Sequence, residues 1–260
     1  MTIRVLKQNE LSSFFSACEV EGWINDISHI KCLYKSYPND FFIALNDKKI
    51  VGFVLAIKDN PEFGTISNLL VLKKFRSQGF GKELLNHALK HLDGCQIAIN
   101  SLPGKERVYE AVGFKKYYET SIFSFNTGLT KLPNSYITVS DVSQSDLLEY
   151  NKQHNSLKKS SYISCLFNSK DNLYKAVYKD GNISSYGIRL KYNDGYKIVL
   201  ASNEINEAVT LLFTLLDDLE DLTPIYMEIS QIEQLLLAIA DLLKMKKLSF
   251  TTKMYNKVLN

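Results

Sequence analysis

Arg76-Ser77-Gln78-Gly79-Phe80-Gly81-Lys82 is the stretch of this sequence whose residue types and spacing best suit chemistry. Two glycines one residue apart strip side chains from a turn, so its main-chain N–H groups can approach an anion closely. An apolar run, Leu69-Leu70-Val71-Leu72, comes just before and reads as a buried strand. Phe80, Leu84, Leu85, Ala88, Leu89 and Leu92 follow at the spacing of one helix face. Strand, glycine turn and helix N-terminus together predict an anion site, because the helix dipole adds partial positive charge where the turn's N–H groups converge. Spacing separates three phosphate motifs. A P-loop needs a glycine where this chain has Arg76, and Ser or Thr where it has Glu83. A dinucleotide turn, GxGxxG, begins at Gly79 and fails at Leu84. The pattern met in full is Arg/Gln-x-x-Gly-x-Gly/Ala.

The elements that must position this turn can be read on either side of it. A short strand at 3–6 precedes a helix from about Glu10, then Glu21-Gly22-Trp23. A second helix is expected to start near Asn25 or Asp26 and stop before Pro38. Residues 41–45 and 50–57 form a hairpin about the polar turn 46–49, and Phe63-Gly64 leads into the central strand. After the turn's helix come a strand at 95–100 and a short helix from Pro103 through Val112. Gly113-Phe114 returns the chain to strand, and 121–126 supplies a last one. Residues 127–135 read as a linker. Beyond it the pattern repeats, from Ile137 and Val139 through a hairpin at 173–190, a strand at 196–201, a helix at 208–219 and strands near Leu248 and Met254. Where the first half has its glycine turn, the second has Ser202-Asn203-Glu204-Ile205-Asn206-Glu207, with no cation and two carboxylates. That copy is not expected to hold phosphate. The apolar stretch 235–243 is expected in the second core.

Composition bounds the function. The chain has 260 residues, 45% apolar and 23% charged, enough for one large or two ordinary globular domains. A net charge of +3 does not argue for nucleic acid, although Lys73, Lys74, Arg76 and Lys82 cluster at the turn. No apolar run approaches a membrane span, and the first residues lack a signal peptide's apolar core, so a cytoplasmic protein is expected. Cys18, Cys32, Cys95 and Cys165 are scattered and read as reduced thiols. His87 and His91 stand one helical turn apart, but Ala88 takes the place a metalloprotease motif gives to glutamate, so no metal is proposed.

The six residues Arg76 to Gly81, in their strand–turn–helix setting, resemble the acetyl-CoA pyrophosphate loop of the GNAT superfamily of acyl-CoA-dependent N-acyltransferases. The element order of residues 1–127 is also similar to that fold. Glu21-Gly22-Trp23, Phe63-Gly64-x-Ile66 and Tyr186-Gly187-Ile188-Arg189 resemble segments of a subgroup that pairs a catalytic N-terminal domain with a degenerate C-terminal one. The resemblance implies an α+β protein of tandem domains, 1–127 and 136–260, each a mixed, mostly antiparallel sheet flanked by helices. It implies transfer of an acetyl group from acetyl-CoA to an amine on a small molecule or peptide, without nucleic acid or membrane; oligomeric state is left open.

The resemblance also assigns roles. Main-chain N–H groups from Gln78 to Lys82, with Ser77, Gly79, Phe80 and Gly81 between or beside them, would hold the pyrophosphate, and Arg76 and Lys82 would add charge. Leu70, Val71 and Leu72 would form the pantetheine track, with an N–H near Leu70 facing the thioester carbonyl. Tyr109, in Val108-Tyr109-Glu110-Ala111-Val112-Gly113-Phe114, would protonate the CoA thiolate; the alternative is a core aromatic with its hydroxyl at the rim. Leu102 stands where relatives usually carry asparagine. Ser67 takes the place of a frequent carboxylate base and cannot accept an ammonium proton usefully. A water chain near Ser67, Asn68 or Asn100, a carboxylate such as Asp26, or a neutral acceptor amine would have to serve. Trp23 is either an acceptor-site wall or a core residue, and Asp26, Tyr34 and Tyr37 could meet a cationic acceptor. Tyr186 and Arg189 are candidates to face the acceptor from the second half. A CoA-binding or sensing protein without catalysis is the alternative.

Overall fold

Turn chemistry and apolar alternation build the chain in the order β1 (Thr2–Val5), α1 (Leu11–Val20), α2 (Ile27–Ser36), β2 (Phe41–Asn46), β3 (Lys49–Lys58), β4 (Phe63–Val71), α3 (Phe80–His91), β5 (Gln96–Ser101), α4 (Glu106–Glu110) and β6 (Lys115–Asn126). The order then recurs as β7 (Ser140–Asp141), α5 (Gln144–Gln153), α6 (Ser160–Phe167), β8 (Leu173–Lys179), β9 (Asn182–Tyr192), β10 (Gly195–Ala201), α7 (Ile205–Leu216), β11 (Pro224–Ser230), α8 (Gln234–Leu242) and β12 (Lys246–Tyr255). This computed structural model describes residues 1–23, 27–128, 136–154 and 159–257. Two units gather separate cores. Unit 1 comprises Met1–Tyr117, Leu157–Tyr162 and Thr252–Asn260, and unit 2 comprises Tyr118–Ser156 and Ile163–Thr251.

In unit 1 the strands run β1-β2-β3-β4-β5, antiparallel except for the parallel pair β4–β5. The β2–β3 turn closes through Asp47 and Lys48, both at positive φ, the backbone that matches a tight hairpin to strand twist. The apolar face foreseen for α3 is buried: Leu84, Leu85, Ala88 and Leu92 are no more than 2% exposed and pack with Val51, Ile66, Ile97 and Ile99. β5 takes its other neighbour from the end of the chain, where Thr252 pairs with Ser101 and Tyr255 with Ala98.

Unit 2 repeats the scheme as β7-β8-β9-β10-β11, again antiparallel but for β10–β11. Here β11 is flanked by β6, with Pro224 opposite Asn126 and Ser230 opposite Thr120. The α7 face Ala208, Leu211, Leu212 and Leu215 is fully buried over this sheet. From the apolar stretch at 235–243, Leu236, Ile239 and Ala240 are buried in the same core, whereas Leu242 is 64% exposed.

The composition of the units differs from a division into 1–127 and 136–260. Most of β6, paired with β11, falls in unit 2, and the last four residues of β12, paired with β5, fall in unit 1, a choice of partner that local pattern does not encode. The strand pairs expected near 114 and 121, and near 248 and 254, are single long strands, β6 and β12. Ile137 and Val139 precede the two-residue β7 rather than form it, and α4 is only five residues. Most of the linker, 129–135, lies outside the described residues. Cys18 and Cys95 are free and buried, but Cys32 and Cys165 are disulfide-bonded, so the expectation of four reduced thiols fails for two of them. Disulfides are uncommon in reducing compartments, and the cysteines therefore lend a cytoplasmic location no support. Among the described residues no helix is long and apolar enough to cross a membrane.

Candidate active site

The site grows from an irregularity in β4. Phe53 of β3 faces Leu70, yet Leu55, two residues on, faces Ser67, three residues back; β4 carries one extra residue. Asn68 absorbs it at φ 49°, in the left-handed region that asparagine tolerates better than most residues. The bulge reverses the alternation, so that Ile66 and then Leu69 and Val71 pack on the α3 side. Beside it β4 and β5 part. Their pairing runs from Phe63↔Gln96 to Ile66↔Ile99 and ends there, while β5 continues against β12. Residues 67–71 of β4 thus present an edge that no strand among the described residues pairs with.

That edge is narrower than a Leu70-to-Leu72 track. The Leu72 N–H donates to Val51 O at 2.9 Å, and with Val71 opposite Gly52 the alternation turns Leu70 toward Phe53 as well. Val71 is the one of the three whose backbone points to the open side. Its carbonyl accepts from Arg76 Nε at 2.9 Å.

Beyond Val71 the chain makes a short 3₁₀ turn, Lys73–Phe75, and then the glycine turn. Ser77 and Gly79 both have positive φ, 63° and 87°, and Gly79 caps α3 without a side chain. Such alternation makes a concavity of main-chain donors. Among the described residues the N–H groups of Gln78, Gly79, Phe80 and Gly81 have no acceptor, whereas the Lys82 N–H already donates to Gly79 O at 3.0 Å. The expected cradle therefore loses Lys82's N–H and keeps its exposed ammonium. A side chain at Gly79 would enter open space, and one at Gly81 would meet only Val71 Cγ2 at 3.6 Å. Neither glycine's Cβ is excluded by protein packing, and at Gly81 the backbone is ordinary helix, so the bare surface fits a bulky anion such as a diphosphate. Phe80 turns its ring inward against Phe75, with centroids 6.2 Å apart.

Arg76 is placed differently from expectation. Its Nη2 lies 2.6 Å from Glu21 Oε1, so its charge is directed to a carboxylate of the protein. Gln78 Nε2 likewise reaches Lys74 O at 3.3 Å.

Tyr109 sits on α4, half-buried against Phe114 at the margin of the unit 1 core. Its hydroxyl has no hydrogen-bond partner among the described residues, and burial pushes its pKa up, which keeps it protonated as a proton donor must be. Ser67 is also half-buried and without a partner among the described residues. Asn68 Nδ2 approaches Cys18 Sγ at 3.9 Å, and burial raises that thiol to about 11, so it remains neutral. Trp23 is half-exposed after α1, its N–H closing the helix onto Cys18 O at 2.9 Å; Asp26 lies outside the described residues. Tyr34 and Tyr37 are engaged within the fold. The Tyr34 hydroxyl donates to Leu6 O at 3.2 Å, and Tyr37, 1% exposed, is pushed up to about 12 by burial. His87 and His91 both edge onto Phe42, and His91 pairs with Asp40 at 3.0 Å. Leu102 is exposed.

The corresponding place in unit 2 is built to the opposite plan. β9 and β10 pair without a bulge. The third residue of α7 is Glu207, the place that Lys82 holds in α3. Its buried carboxylate accepts from Lys179 at 2.5 Å, Ser184 at 2.9 Å and Ser185, filling the helix N-terminus with an anion of the protein's own. Arg189 is likewise engaged: it binds Asp218 Oδ2 at 2.9 Å and Leu215 O at 2.7 Å at the C-terminal end of α7. Tyr186 packs edge-on to Tyr150 at 5.1 Å. As placed, Arg189 has structural partners rather than a free face for an acceptor. The sequence singles out Glu21-Gly22-Trp23 and the carboxylates of 202–207, but not the pairing of Glu21 with Arg76, the bonds that hold Glu207, or the bulge at Asn68.

Comparison with known proteins agrees with this architecture. The family model described as acetyltransferase (GNAT) domain matches residues 8–127. A holothin acyltransferase of Pseudoalteromonas sp. (strain SANK 73390) is 20% identical over 191 residues, 73% of this chain but only 64% of its own length. Among solved structures, a tandem GNAT protein from the clavulanic acid biosynthesis pathway superposes with TM-score 0.71 at 11% identity, covering 100% of this chain and 99% of its own. A GCN5-related N-acetyltransferase from Sphaerobacter thermophilus gives 0.69 at 9% identity, covering 98% and 94%. Residues 8–127 thus match the acetyltransferase (GNAT) domain, and the chain as a whole has the α+β fold of the tandem GNAT proteins.

Proposed function

We propose that the chain is an acyl-CoA-dependent N-acyltransferase that moves an acetyl group from acetyl-CoA to an amine, with the chemistry in unit 1. The observation that carries this is the coincidence, in one unit, of the parting of β4 from β5 at Ile66 and Ile99 with a turn whose donors at 78–81 are free. Acetyl-CoA would supply an activated thioester. The free N–H groups and the Lys82 ammonium would hold its diphosphate, and the Val71 edge would receive the extended arm. The amine nitrogen forms a bond to the acetyl carbon as the carbon–sulfur bond breaks, the electron pair leaves on sulfur, and Tyr109 gives that sulfur its proton. The proton shed by nitrogen passes to solvent through water held near Ser67 and Asn68, or is absent when the acceptor arrives neutral. The relative named a holothin acyltransferase favours a small-molecule acceptor, and Glu207 in unit 2 favours a single CoA site per chain.

Thiol release from acetyl-CoA across a panel of amines tests the proposal. Tyr109→Phe should lower turnover about 100-fold or more, the contribution of a general acid, while binding acetyl-CoA as before. Acetyl-CoA binding without thiol release from any amine would favour the rival reading, a CoA-sensing protein, to which Ser67 already inclines. Calorimetry that finds no acetyl-CoA binding would overturn both.

A further inference from the structure

Glu21-Gly22-Trp23 stands out in the sequence, and the proposed reaction leaves Glu21 without a part. Gly22, at φ 70°, follows the last turn of α1; its N–H donates to Glu19 O and that of Trp23 to Cys18 O, each at 2.9 Å. This pair of bonds ends a helix in a fixed direction, because only a residue free to adopt the left-handed region can close it cheaply. The closure sets where Glu21 points. Its carboxylate, 16% exposed, meets Arg76 Nη2 at 2.6 Å, and the same guanidinium donates from Nε to Val71 O at 2.9 Å. One side chain therefore joins the end of α1, the open end of β4 and the first residue of the glycine turn.

We propose that Glu21 is a positioning residue for the cofactor turn: by holding Arg76 it fixes the free N–H groups at 78–81 where the diphosphate must lie, and Arg76 braces the turn rather than binding the diphosphate. The inference rests on the turn being the CoA site. Guanidinium–carboxylate contacts of this length are charge-assisted and among the stronger hydrogen bonds, and Arg supplies two separate donors in a rigid fork that Lys cannot reproduce. Swinging the guanidinium onto a diphosphate would break both contacts, whereas its remaining N–H donors act only from where the brace holds them. The rival arrangement, in which Glu21 merely occupies a phosphate ligand until CoA arrives, predicts the opposite sign for one substitution.

The experiment measures acetyl-CoA affinity and steady-state kinetics for the full chain and for Glu21→Gln, Arg76→Ala and the double variant. The brace predicts that Glu21→Gln weakens acetyl-CoA binding about tenfold, on the scale of one charge-assisted hydrogen bond. The loss should fall on KM rather than kcat, with the melting temperature little moved. It also predicts non-additivity, the double variant being scarcely worse than Arg76→Ala alone. Binding that is unchanged or tighter in Glu21→Gln overturns the inference, and so do losses at 21 and 76 that simply add. A full chain that fails to bind acetyl-CoA removes the CoA site itself and the brace with it, an outcome read on the unaltered protein and so distinct from the others.

Discussion

Lys82 and Glu207 hold the same place, the third residue of the helix that follows the central strand, and carry opposite charge. A helix N-terminus with unsatisfied N–H groups favours an anion wherever it comes from. In α7 the third residue is itself an anion, whereas in α3 it is a cation and the anion proposed for the turn is that of acetyl-CoA. Two substitutions separate these cases. Gly81→Leu removes a glycine from a helix, which favours folding by up to about 1 kcal/mol, and a Cβ there meets only Val71 Cγ2, at 3.6 Å. It should keep or raise the melting temperature while weakening acetyl-CoA binding at least tenfold, since the new side chain takes the ligand's space; undiminished binding would count against the turn as the diphosphate site. Glu207→Gln should instead cost stability, about 1–3 kcal/mol for a charged buried hydrogen-bond acceptor, and leave CoA affinity alone. Burial opposes the Glu207 charge, but bonds from Lys179, Ser185 and Ser184 prevail and lower its pKa. A carboxyl with a lowered folded pKa stabilises at pH above its unfolded value, and that contribution disappears as pH falls through the folded one. Urea unfolding should therefore show the parent's advantage over Glu207→Gln at neutral pH shrinking on acidification. An advantage independent of pH would mean that the charge is not what Glu207 contributes.

At the level of elements, the bulge in β4 decides the site. Without the extra residue, Leu69 and Val71 would leave the α3 face, and the alternation that places Ser67 opposite Leu55 would fail beyond it. Asn68 holds the left-handed backbone that this requires. Asn68→Gly should be accepted with little change, whereas Asn68→Val should cost about 1–2 kcal/mol, the penalty of a left-handed backbone for a residue with a branched Cβ, and weaken acetyl-CoA binding with it. A valine variant as stable as the parent would show that the bulge can move. This part of the site could not be read in the sequence, because one inserted residue without glycine looks like ordinary strand. The glycine turn, the α3 face and both hairpins could be, since each is set by neighbours within a few positions. Arg76 marks the boundary: its motif position was legible, but its partner Glu21 lies 55 residues away, and no periodicity connects them. The partner of Arg189 was illegible for the same reason, Asp218 being 29 residues away.

On the scale of the whole chain, the repeat fixes the order of elements but not the membership of the units. Two closing strands of similar character, β6 and the end of β12, could each satisfy either β5 or β11, and the sequence does not say which. In the fold, Thr252–Tyr255 pairs with β5, and Met254, fully buried, packs among Leu84, Ala88, Ile97 and Ile99 of unit 1. Unit 1 therefore depends on the last residues of the chain, although its anion turn lies near position 80. Met254→Ala should destabilise unit 1 by about 2–5 kcal/mol, the cost of emptying a methionine-sized core site, and should lower acetyl-CoA affinity because α3 and β5 both rest on that core. Met227→Ala empties an equivalent site in the unit 2 core, where Met227 is 1% exposed, and should cost similar stability without weakening acetyl-CoA. Segment-resolved hydrogen exchange with an acetyl-CoA titration reads both effects. Faster exchange in 80–101 is expected for the first variant, and in 205–230 for the second. If Met254→Ala left 80–101 protected and loosened only unit 2, the C-terminal strand would belong with the half that encodes it, and a fragment ending near 127 would be able to bind the cofactor alone.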